Sequence, residues 1–215
     1  MKKFTTAFLA LMLVQGAAYS QSCLPEGITF TTQNQIDSFQ VNYPGCTEIL
    51  GGMTISGSDI TNLQGLDVLT TIFNGFVIEN NPVLTSLTGL NNITHAWGSL
   101  TIEHNDALTS LAGLEGLTRI EITLTIGFNT ALSSLDGLEN LASTSGGIFV
   151  YYNDVLTSLS GLQGLTSIAG DLYFDILEIA WNLFSWGGDK TLFTSSFQRF
   201  MISHVSILEF IGNPD

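Results

Sequence analysis

The sequence predicts an all-β fold, a right-handed parallel β-helix of about five to six 24-residue coils. Three observations predict it. Asn81, Asn105, Asn129 and Asn153 stand 24 residues apart. Leucine columns recur with the same offset: Leu84, Leu108, Leu132 and Leu156, then Leu87, Leu111, Leu135 and Leu159. A glycine column, Gly89, Gly113, Gly137 and Gly161, follows in step. A fixed period of this length marks a solenoid, because no single copy can bury its own apolar residues and stacked neighbours can.

Each coil opens with a strand. Phe76, Leu100, Leu124 and Ile148 alternate with Ile78, Ile102, Ile126 and Val150, the period-two pattern of a strand with one buried face. Stacking in register pairs these strands in parallel, at about 4.8 Å per coil, giving a rod roughly 25 Å long. The asparagines sit where the chain leaves the strand. A buried amide there can bond backbone groups of its own and neighbouring coils at a corner that no ladder satisfies. Glycine marks a tight turn or a close backbone approach. Thr61, Thr85, Thr109, Ser133 and Thr157 form an outward column that reads as turn hydrogen bonding.

The ends differ from the repeat. Met1-Lys2-Lys3, the apolar run Phe8–Val14 and the small residues before Gln21 read as a secretory signal over 1–20, too short to span a membrane. Residues 21–50 read as an N-terminal cap. Thr32 and Gln35 have capping-box spacing, which predicts a short helix. Cys23 and Cys46 are the two cysteines of the chain and are expected to form a disulfide in an exported protein. The solenoid proper spans 51–174. In 175–215 every column is lost at once: continuation would place Asn at 177, Leu at 180 and Gly at 185, where the chain has Leu177, Ala180 and Ser185. Two readings stay open for this tail, a frameshift near Phe174 and a divergent cap.

Charge narrows the partners. The chain carries 19 acidic residues and a formal net charge of −14. Loss of Lys2 and Lys3 with the leader would leave Arg119, Lys190 and Arg199 as the Lys and Arg of the chain. Nucleic acid and direct membrane insertion are therefore not expected. The sequence holds no Gly-x-Ser-x-Gly, His-Glu-x-x-His or phosphate-loop motif, and His95, His104 and His204 are dispersed. No catalytic residue, cofactor or metal is expected. Glu79 and Glu103 share a column and are the closest approach to a carboxylate pair, so a carbohydrate-active β-helix enzyme, a lyase or hydrolase, is the alternative reading.

The repeat Gly-x-Leu-x-Ile-x-x-Asn followed by Leu-Thr-Ser-Leu-x-Gly-Leu-x-x-Leu-x-x-Ile resembles the receptor L domain, a leucine-rich-repeat-like β-helix found in insulin and EGF receptor ectodomains. It is similar to bacterial secreted versions that open with Cys-Leu-Pro-Glu-Gly-Ile, here Cys23 to Ile28. The resemblance covers about residues 23–174. It implies a non-enzymatic recognition, adhesion or structural module, secreted or held at the outer surface of a Gram-negative bacterium, with an unidentified protein or glycan ligand. The residues that differ between coils and face outward are the candidate binding surface: Phe128, Phe149, Tyr151, Tyr152 and Tyr173. Aromatic side chains on a surface mark interfaces and sugar platforms. Packing of the same patch against the tail or further coils is the competing reading. Translation of the gene in its other frames past codon 174 tests the frameshift: Leu-Thr-Ser-Leu-x-Gly-Leu is expected there, and its absence rejects the idea.

Overall fold

The computed structural model describes residues 21–175. The expected leader and, apart from Asp175, the non-repeat tail lie outside those residues. The strands in chain order are β1 (Gln21–Cys23), β2 (Ile28–Phe30), β3 (Cys46–Ile49), β4 (Met53–Ile55), β5 (Thr71–Ile72), β6 (Phe76–Glu79), β7 (His95–Ala96), β8 (Leu100–Glu103), β9 (Arg119–Ile120), β10 (Leu124–Gly127), β11 (Ser143–Thr144), β12 (Ile148–Tyr151), β13 (Ser167–Ile168) and β14 (Leu172–Asp175). Two short helices, α1 (Gln33–Asp37) and α2 (Phe39–Asn42), lie between β2 and β3.

The strands form two seven-stranded parallel sheets that alternate along the chain. Odd-numbered strands make one and even-numbered strands the other, giving a β-solenoid of about six turns. Register follows the period: Leu100 pairs with Phe76 on one side and Leu124 on the other, and Ile102 with Ile78 and Ile126. The even sheet contains the strands expected from alternation. The odd sheet is a second wall that the sequence reading does not contain. Most of its strands are two residues long, with one inward side chain such as Ile72, Ala96 or Ile120.

The leucine columns fill the space between the walls. Leu84, Leu108 and Leu132, Leu87, Leu111 and Leu135, and Leu90, Leu114 and Leu138 are all fully buried. Burial of each such side chain contributes about 2 kcal/mol, before the entropy of ordering the chain. At Gly113, φ is +116° and a Cβ would lie 2.1 Å from the Leu87 carbonyl carbon, so the turn of one coil rests directly on the backbone of the coil before.

Residues 21–50 are more than a lid. They contribute β1 and β3 to the odd sheet and β2 to the even sheet, so the solenoid begins at Gln21 among the described residues. Helices α1 and α2 lie between the two strands of this first coil, where the next coil has a single 3-10 turn, Gln64–Leu66. The expected capping box is present, with the Thr32 hydroxyl accepting from the Gln35 backbone and the Gln35 side chain returning to Thr32. The Gln33 side chain binds the next coil, accepting from the Thr61 amide at 2.8 Å and donating to the Asn62 carbonyl at 3.1 Å. Cys23 and Cys46 are disulfide-bonded, with Cα atoms 5.7 Å apart, which ties the adjacent strands β1 and β3.

The asparagine column is a continuous amide ladder. The Asn105 side-chain amide donates to the Ile78 carbonyl (3.0 Å), to the Glu103 carbonyl (2.9 Å) and to Asn129 Oδ1 (3.2 Å). Its Oδ1 accepts from the backbone and the side chain of Asn81. Asn81, Asn129 and Asn153 likewise donate to the strand carbonyl of the coil before, Oδ1 of Asn81 accepts from the Gly57 N–H at the start of the ladder, and all four are sealed from solvent. Asn105→Ala removes three side-chain donations and leaves the buried Asn81 backbone N–H without its acceptor, so a loss of about 4 kcal/mol is expected from urea denaturation, whereas exposed Thr109→Ala stays within about 0.5 kcal/mol. Equal losses at the two positions would contradict the ladder's role.

Candidate functional site

The even sheet turns one face outward, and the coil period arranges it in columns. Val77, Thr101, Thr125, Phe149 and Tyr173 align in register, each half-buried. Beside them run Glu79, Glu103, Gly127 and Tyr151, also in register. Asn80, His104, Phe128 and Tyr152 follow at the strand exit.

This last column has an unusual backbone. All four residues are left-handed, with φ from 51° to 56°. The chain must turn sharply there so that the next asparagine points inward. Asn tolerates that conformation, but His, Phe and Tyr pay about 1 kcal/mol or more each. Their rings meet: His104 and Phe128 stack at 4.6 Å and 7°, and Phe128 and Tyr152 at 4.8 Å and 25°. Ring contacts of this kind contribute about 1 kcal/mol, enough to offset the strain. Backbone strain held in place by its surroundings is a feature of functional positions.

Tyr151 departs from the expected free aromatic. Gly127 lies between it and Glu103 in the column, and the Tyr151 ring occupies the space that a side chain at 127 would fill. A Cβ there would be 2.6 Å from Tyr151 Cε2. The phenol reaches two coils back and donates to Glu103 Oε1 at 2.5 Å. Desolvation, reinforced by that hydrogen bond and the Glu103 charge, pushes the phenol from 10.0 up to about 12.

The five predicted residues are thus brought together, but not as an open platform. Tyr151 also packs edge-on against Phe128 and Tyr152, and Phe149 and Tyr173 touch at 6.5 Å. Tyr152, at 54%, is the most exposed of the five, the others being half-buried. Ring faces within the left-handed column are spent largely on one another.

A second aromatic surface lies along the odd sheet and was missed from the sequence. Phe73 and Trp97, 40% and 48% exposed, stack in parallel with ring centres 5.9 Å apart. His95 flanks Trp97. The signal was present, since Phe73 and Trp97 are 24 residues apart, but it lies after a strand too short to show alternation. Further along that sheet Arg119 on β9 is ion-paired with Glu121, whose carboxyl its hydrogen bond holds below the usual range.

Among the described residues there is no group of three or more His, Cys, Asp or Glu placed to hold a metal, and no helix long and apolar enough to cross a membrane. Comparisons with family models, curated proteins and solved structures gave no match.

The Tyr151 bridge is testable by NMR titration of the phenol. The neutral phenol is the form the fold favours, so its contribution to stability is present below pH 10 and is lost as pH rises towards 12. Gly127→Ala displaces the ring and returns the titration towards 10, with Glu103→Gln producing part of that fall. An unchanged titration in Gly127→Ala would refute the bridge.

Proposed function

We propose that this chain is a non-enzymatic recognition or adhesion module of receptor-L-domain type that works in the extracellular space or at the cell surface. The observation that carries the reading is the column His104, Phe128 and Tyr152. Three ring side chains occupy left-handed backbone positions in succession, where Asn or Gly would be unstrained, and they do so on the outer face of a sheet. The interior repeats faithfully while this face changes from coil to coil, as a binding surface on a common scaffold does.

Export is supported by the leader-like start and by the Cys23–Cys46 bond, which suits an oxidising compartment. A surface with little basic charge favours a protein or glycan ligand over nucleic acid. Glu79 and Glu103 form the pair on which an enzyme reading would rest. Arg119, the sole Lys or Arg between residues 21 and 175, lies on the other sheet and is engaged by Glu121, so no Lys or Arg stands beside that pair.

A glycan and surface-protein array probed with the full chain tests the proposal. Saturable binding to at least one protein or glycan class is expected, with at least about a fivefold loss in Tyr152→Ala, the size expected for one aromatic contact of about 1 kcal/mol. Absence of saturable binding across the array, or binding indifferent to Tyr152 and Phe149, would reject it.

A further inference from the structure

The outer face of the even sheet carries two carboxylates in an unfavourable place. Glu79 and Glu103 are direct register partners on adjacent strands, about one strand spacing apart, and both are half-buried. Like charges so placed repel and destabilise the pairing. No Lys or Arg among the described residues relieves them, since Arg119 belongs to the other sheet. Tyr151 fixes the Glu103 carboxylate by donating to it, but a phenol does not cancel its charge.

Rings stand beside this pair. His104 follows Glu103 directly, Phe128 stacks on His104, and Tyr151 meets Phe128 edge-on at 5.5 Å and 84°. Oriented carboxylates next to aromatic rings are the chemistry that takes a planar cation: the guanidinium bonds a carboxylate through two N–H groups and lies favourably against π-systems. A neutral glycan would leave both charges unanswered.

We infer that the face formed by Glu79, Glu103, His104 and Tyr151 docks an arginine side chain of a basic protein segment. This rests on the recognition reading above and names the class of its partner. Charge complementarity selects the occupant. The chain has a formal net charge of −14, and an arginine here sets a positive charge beside two carboxylates that have no Lys or Arg neighbour on their sheet.

The test uses the full chain and a fluorescent Arg-Gly repeat peptide, followed by anisotropy at about 0.15 M salt, where long-range attraction is screened beyond about 8 Å. Lysine-Gly and citrulline-Gly peptides of equal length are the comparisons. Arginine is expected to bind tightest and citrulline not measurably. Glu79→Gln/Glu103→Gln is expected to weaken arginine binding at least about tenfold, in line with loss of a charge-assisted contact. Glu26→Gln/Asp136→Asn removes the same charge at exposed positions elsewhere and is expected to stay within about twofold. Thermal melting checks that both double variants fold. Equal weakening by both double variants, equal binding of the arginine and citrulline peptides, or no peptide binding overturns the inference. An array hit that depends on Tyr152 but is accompanied by no peptide binding would reject arginine docking and leave the recognition reading standing.

Discussion

The asparagine ladder is the interaction on which the rest of the structure depends. Each amide closes the corner of its own coil and the coil beside it: Oδ1 of Asn105, Asn129 and Asn153 accepts from the preceding asparagine, that of Asn81 from the Gly57 N–H, and each Nδ2 donates to strand carbonyls. A coil one residue longer or shorter would break that chain of amides and bury unpaired groups, each costing about 1–3 kcal/mol. The 24-residue period is the sequence-level image of this constraint. From β6 onward the even-sheet register falls into step with it, as do the glycine turns and leucine columns.

The ladder also has a consequence outside the core. For the asparagine to point inward, the preceding residue must turn left-handed, and this fixes Asn80, His104, Phe128 and Tyr152 in one outward row. The fold therefore supplies an aligned row of side chains whatever they are. Rings there stack because the coil spacing brings them within reach. Gly127 adds a gap in the neighbouring column, which Tyr151 fills to reach Glu103. The surface is thus composed by substitutions on a frame that does not change.

Much of this was legible in the sequence. The even sheet, the buried leucines, the ladder and the capping box of α1 each carry a strong local signal: alternation, a fixed period, or a known spacing. The odd sheet had none. A two-residue strand such as Thr71–Ile72 has a single inward side chain, and one residue shows no period. The same blindness hid Phe73 and Trp97. Residues 21–50 read as a cap because their helices break the repeat, although Ile28 and Phe30 pair in register with Met53 and Ile55. The five aromatic residues do meet in the structure, but their geometry was not legible. A column alignment compares neighbouring coils, whereas Tyr151 and Glu103 are 48 residues and two coils apart.

If the ladder sets the register of the whole stack, its amides open only when the stack opens. Native-state hydrogen exchange at the backbone N–H of Asn105, which donates to Asn129 Oδ1 at 3.0 Å, tests this most directly. The account predicts protection equal to that of the Ile102 amide in strand β8, with both rates falling together as stability rises. Exchange at Asn105 as fast as at the exposed turn residue Thr109, while Ile102 stays protected, would contradict it.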